Sequence, residues 1–317
     1  MNFQQMNRRQ VLALGATAAA GMFGGRGQSA RAAQTPTESS NATSAFWKAI
    51  EDIIQAEGMF SDGVFSIEID RNDIPNVTLH GVPIKPSFEI NGSLYFQKLD
   101  DETVITNSDL ALKAEEIDPF IHQLQLHEIV FQAEHQHFYD FDPLVWFIHF
   151  RKKGDPIEIA HGIKAALDAT STPFPQTLPK NPKTPLPAEE MGKILGASPT
   201  IGSDGVVTYD VPREDPIRLG GTRINPYLNV ATGIVFEPLD SKGKTAAGAP
   251  DFGMITSELD PVVALMRKQG WDIGCLYNQE TGENPQLFFS HQFKTGDPIQ
   301  LAREIRNGLN LMDMKFK

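Results

Sequence analysis

Six of the eight histidines fall between residues 122 and 161, and three of them are spaced to act together. His135 and His137 are two apart in Ile129 to Phe138, a segment that reads as a strand, so both imidazoles point to one face. Tyr139-Asp140-Phe141-Asp142-Pro143 then turns the chain, and a second predicted strand, Leu144 to Phe150, brings His149 level with them. Three neutral imidazoles on one face of a hairpin form a ligand set for a divalent transition metal, zinc by default, with copper, nickel and iron taking the same donors. An open fourth position would hold a metal-bound water. The plainer reading is that strand histidines face solvent or donate one hydrogen bond in a core, and the third donor depends on hairpin register. His122, His127 and His161 stand at helical positions and read as surface residues.

The elements that must position these residues occur twice. Asp109 to Leu167 lies over Asp251 to Leu309 without a gap, at a constant offset of 142 residues (251 − 109). Asp118-Pro119 matches Asp260-Pro261, Phe147 matches Phe289, His149 matches His291, and Gly154-Asp155-Pro156-Ile157 matches Gly296-Asp297-Pro298-Ile299. Such self-similarity is the mark of a tandem duplication. Each copy reads as a mixed α and β unit. In the first, a helix is expected at Trp47 to Ala56, a strand at Val64 to Ile69, and a hairpin in Phe88 to Leu99 turning at Asn91-Gly92. A helix at Ile117 to Leu126 precedes the two histidine strands, and Asp155 with Pro156 caps and opens a last helix, Ile157 to Leu167. The expected class is α+β, a duplicated unit with antiparallel hairpins and split β-α-β character. At the positions of His135, His137 and His149 the second copy carries Tyr277, Gln279 and His291, so its site is degenerate and it can serve as scaffold.

Residues 1–32 read as a twin-arginine export signal: Asn7-Arg8-Arg9-Gln10, a mild apolar stretch, then Ala30-Arg31-Ala32 as a cleavage site. The address is periplasmic or extracellular. Residues 33–45 form a polar tail, 46–172 the first copy, 173–188 a Pro-rich extended linker, and 189–317 the second copy. The 28 basic and 40 acidic residues give −12, which excludes phosphate-driven nucleic-acid binding, and the apolar stretch of the signal is too short to span a bilayer. Removing the signal with its four arginines leaves −16. Cys275 is the sole cysteine, so no disulfide framework exists within the chain.

Two further repeated features are Arg71 and Asp73 with Arg213 and Asp215, and Glu116 with Glu258. The first pair reads as a substrate clamp or a local ion pair at a turn. Glu116 is the weak catalytic candidate, as a general acid or base beside a metal, although an acid in the first helical turn is already explained by the helix dipole.

Gly81-Val82-Pro83-Ile84-Lys85-Pro86, Glu116-Ile117-Asp118-Pro119 and His135-Gln136-His137 followed by Pro143, His149 and Gly154-Asp155 together resemble the exported bacterial LppY/LpqO family. The resemblance runs from about Trp47 to Leu309, with Gln136 replacing the usual Asn. It implies the fold and the site, and no activity. Three function classes follow: a metal-binding carrier or sensor, a metal-dependent hydrolase assisted by Glu116 or Asp140, and a structural or ligand-binding module. The partner is a metal or an unidentified small ligand.

Overall fold

The computed structural model describes residues 37–100, 102–202 and 204–317. The twin-arginine segment lies outside the described residues. Helix α1 (Thr37–Ile54) leads into a six-stranded antiparallel sheet made of β1 (Met59–Ser61), β2 (Val64–Asp70), β3 (Asn91–Lys98), β4 (Val104–Leu112), β5 (Val130–His135) and β6 (Trp146–Gly154). Spatial order is β1-β2-β3-β4-β6-β5. Both β4 and β5 run antiparallel to β6, which lies between them, so they are parallel to each other. The helix joining them, α2 (Ile117–Leu126), makes the expected split β-α-β crossover. α3 (Pro156–Leu167) follows β6, with the Asp155 carboxylate accepting from the backbone N–H groups of Ile157 and Glu158.

The second copy repeats this plan. After α4 (Ala188–Leu195) come β7 (Thr200–Ile201), β8 (Val207–Val211), β9 (Thr232–Pro238), β10 (Ala246–Met254), α5 (Thr256–Lys268), β11 (Asp272–Ile273), β12 (Phe288–Gly296) and α6 (Pro298–Leu309). Its sheet has the order β7-β8-β9-β10-β12-β11, the same as the first. The α+β duplication read from the sequence is therefore the fold.

Each sheet has one face under its own helices. Ile67, Leu94, Phe96, Leu110, Ile148 and Phe150 pack against Trp47, Ile50, Phe120, Leu124 and Ile163 in one core. Strand alternation turns their neighbours the other way, where Ala111 and Phe147 meet Ala247, Ala249 and Phe293. Val64 and Ile105 meet Leu228, Leu287 and Phe289 likewise. The two sheets thus face each other, with the helices outside, and the inner layer joins the copies.

Three expectations need correction. α1 begins at Thr37, within the stretch read as a polar tail and ahead of the helix start read at Trp47. Asn91-Gly92 is not a hairpin turn: residues Pro86–Glu89 form one helical turn and β3 starts at Asn91. A Cβ on Gly92 would lie 2.6 Å from the Asp109 carbonyl oxygen and 2.7 Å from the Leu110 Cα, so glycine is there to let β3 pass close to β4. The second copy's counterpart of β5 is also shorter than the gapless repeat implies, since β11 holds two residues before the chain leaves the sheet. Beyond it, the Gly274 N–H donates to the His291 carbonyl at 2.8 Å and an isolated bridge joins Tyr277 to Phe289.

Candidate metal centre

His149 sits on β6 between Ile148 and Phe150, both of which enter the helix-side core, so its ring enters the layer between the sheets. β5 ends at His135, and His137 lies in the loop beyond it. The strand reading therefore stopped three residues too late, yet both rings reach the same place. A register shift between Phe131 and Ala133 sets His135 opposite Phe147 and Ala133 opposite His149. His135 and His149 are diagonal neighbours, within reach of long side chains. Their Nε2 atoms stand 2.9 Å apart.

The structure brings all three predicted ligands together: one ligand atom from each of His135, His137 and His149 lies within 4.8 Å of the others. The Nδ1 of His135 lies 3.2 Å from the Gln136 carbonyl oxygen and that of His137 lies 2.9 Å from the Glu89 carboxylate. The Gln136 carbonyl can only accept, so at His135 Nδ1–H donates and Nε2 is left unprotonated; His137 takes the same tautomer when Glu89 accepts from it. The Nε2 of His137 is buried without a partner, as is the Nδ1 of His149. Burial pushes the His135 imidazole down to about 4. Burial and the neighbouring imidazoles push His137 and His149 well below the ordinary value. The rings are therefore neutral, the form that binds metals.

Two residues of this cluster were not legible from spacing. Glu89 is 6% exposed, and among the described residues its charged-pair contacts are with imidazoles alone, His137 at 2.9 Å and His291 at 3.9 Å. Burial, then Asp251 and Asp109, pushes its carboxyl well above the ordinary value. His291, from β12 of the second copy, is 4% exposed and lies stacked on His137 with 3.6 Å between ring centroids. Glu89, His137 and His291 form a second group of donors within 4.8 Å of one another. His291 carried a signal, its exact match to His149; Glu89 carried none.

The other candidates are engaged elsewhere. Glu116 accepts from the Arg71 guanidinium at 2.8 and 2.9 Å, from the Lys113 backbone N–H at 2.9 Å, and from the N–H and hydroxyl of Ser171 at 2.9 and 2.7 Å. Arg71 is wholly buried, and its remaining bonds go to Asp73 and the Ala111 carbonyl. Arg213 makes the same set with Asp215, Glu258 and the Gly253 carbonyl. Identical buried clasps tying a loop to a helix start in both copies are structural. Asp140 accepts from the backbone N–H of His80 at 3.0 Å. His122 and His161 are exposed, as expected, whereas His127 is half-buried.

No curated protein matches the chain. Among solved structures, a trimeric bacterial microcompartment shell protein, PduB, aligns at 12% identity over 82% of this chain and 96% of that one, with a TM-score of 0.21, too low to inform fold or assembly. The model of the family described as Domain of Unknown Function (DUF1259) matches residues 48–169 and again residues 189–311. Those two matches fall on the two copies of the duplicated unit, and the chain belongs to that family, carrying its domain twice.

Proposed function

We propose that this is an exported metal-binding protein whose ion is held by His135, His137 and His149. The observation that supports it most is the buried meeting of two neutral imidazole nitrogens at 2.9 Å beside a third, His137 Nε2, that has no partner. A lone buried nitrogen is costly, and a cation shared by the three removes that cost. Glu89 fits as the carboxylate that takes the Nδ1–H of His137 and fixes its tautomer, the usual arrangement behind a metal-bound histidine. Donors about 2.05 Å from a tetrahedral zinc stand roughly 3.3 Å apart, so binding would open the His135–His149 gap by roughly 0.4 Å. Zinc is the ion expected by default, and copper, nickel and iron suit the same nitrogens. Export through the twin-arginine route, placing the protein in the periplasm or outside the cell, rests on Arg8, Arg9 and the cleavage site after Ala32, and the motifs quoted above support kinship with the LppY/LpqO proteins.

The test is the metal content of protein purified without chelators, followed by zinc titration of the metal-free chain. One ion per chain is expected, lost in His135→Ala with His137→Ala. A wild-type chain that takes up no stoichiometric transition metal overturns the proposal.

A further inference from the structure

We propose that Tyr277 and His291 of the second copy are positioning residues that hold the first copy's imidazoles in place, and that neither is a metal ligand. The inference rests on the three-imidazole site proposed above. Tyr277 stands where the first copy has His135, and His291 where it has His149. Facing of the two sheets brings these counterparts onto the first copy's rings. Tyr277 stacks on His135 with 3.5 Å between centroids and 29° between planes. His291 stacks on His137 at 3.6 Å and 18°, and Phe147 covers the opposite face of His137 at 3.3 Å and 6°. A ring held between two flat neighbours cannot turn about its χ2 axis without driving its edge into them, so the Nε2 direction is set before an ion arrives.

Geometry separates this role from ligation. An imidazole binds a metal along the lone pair in its own plane: His291 and His137, 3.6 Å between centroids, lie face to face with their lone pairs side by side, whereas His135 and His149, 5.0 Å between centroids, meet at their edges through Nε2. The Nδ1 of His291 is 3.4 Å from the Cys275 sulfur and 3.5 Å from Asp251, contacts that hold the ring over His137. Tyr277 donates its hydroxyl to Gln279 at 2.9 Å, which directs the phenol oxygen away from ligation and leaves its face as the contact. The second copy has thus exchanged one donor for a ring of similar planarity at Tyr277. It keeps a second ring at His291. Ordering a side chain on binding costs about 0.5–1.5 kcal/mol, so releasing either imidazole should weaken metal binding roughly 2- to 10-fold.

The experiment is zinc competition against a chromophoric chelator, using the full chain with Tyr277→Phe, Tyr277→Ala, His291→Phe and His291→Ala, with thermal melts of the metal-free variants monitoring the fold. Both Phe variants keep a flat ring and should bind zinc within about twofold of wild type, while each Ala variant weakens it roughly 2- to 10-fold at unchanged stoichiometry. If His291→Phe loses as much affinity as His291→Ala, or changes the stoichiometry, His291 is a ligand and the proposal falls. Imidazole 1H–15N spectra of the metal-free protein read ring order without zinc. The His135 and His137 ring signals should average in the Ala variants and stay sharp in the Phe variants. Signals unchanged by Tyr277→Ala and His291→Ala overturn the positioning role even if zinc fails to bind to any form.

Discussion

His135 and His149 meet nitrogen to nitrogen at 2.9 Å although they are not paired across their hairpin, where His149 faces Ala133 and His135 faces Phe147. The diagonal contact arises because β5 slips register between Phe131 and Ala133 just before the first histidine. A bulge of this kind re-aims the side chains beyond it. It turns two strand residues and one loop residue into a single cluster.

The loop carrying His137 is held from the other copy at very short range. A Cβ on Gly274 would stand 2.5 Å from the His137 carbonyl oxygen and press on the Phe138 ring. Gly274→Ala should therefore push the copies apart at the cluster, costing about 1–3 kcal/mol of stability by urea unfolding and loosening zinc binding in titration. Unchanged stability and affinity would mean that the loop yields freely.

Stability of the metal-free protein should fall at both ends of the pH range. His135 titrates at about 4 in the fold against 6.5 when free, so the unfolded chain takes up its proton first and stability is lost as pH falls from 6.5 through 4. Glu280, 1% exposed, is pushed up to about 8 from 4.5 by burial, its Oε1 accepting from Asn107 and Gln279. Its contribution is complete below 4.5 and lost as pH rises through 8. Urea midpoints from pH 4 to 9 should trace both limbs, and Glu280→Gln should make the alkaline one shallower, with Glu68 and Asp109, pushed by burial up to about 8 and about 7, keeping the remainder. An alkaline limb of equal depth in that variant would remove Glu280 as its source.

Arg71→Ala leaves Glu116 buried without its cation and should destabilise the first copy by about 3–5 kcal/mol, with Arg213→Ala doing the same beside Glu258. Glu116→Gln should lower stability while leaving zinc stoichiometry at the wild-type value. Loss of zinc in a variant that melts normally would return Glu116 to the metal site.

Replacing Arg8 and Arg9 together by lysine should leave unprocessed precursor inside the cell, read by fractionation and the size of the product. Normal release of the mature chain would rule out the twin-arginine route.

From the sequence alone, the duplication, the helices at Ile117 to Leu126 and Ile157 to Leu167, and the convergence of the three histidines could be read, because each rests on local pattern: a gapless repeat, apolar periodicity, a cap, and two histidines two residues apart. The misread turn at Asn91-Gly92 shows the limit, since Gly92 answers to a neighbouring strand that the local pattern does not contain. Glu89 reaches His137 across 48 positions, and Tyr277 and His291 reach the first copy's rings only because the two sheets bury the same faces against each other. Local sequence sets which side chains share a strand face. Which of those faces meet is decided by burial of the remaining apolar surface, and that is a property of the packed chain.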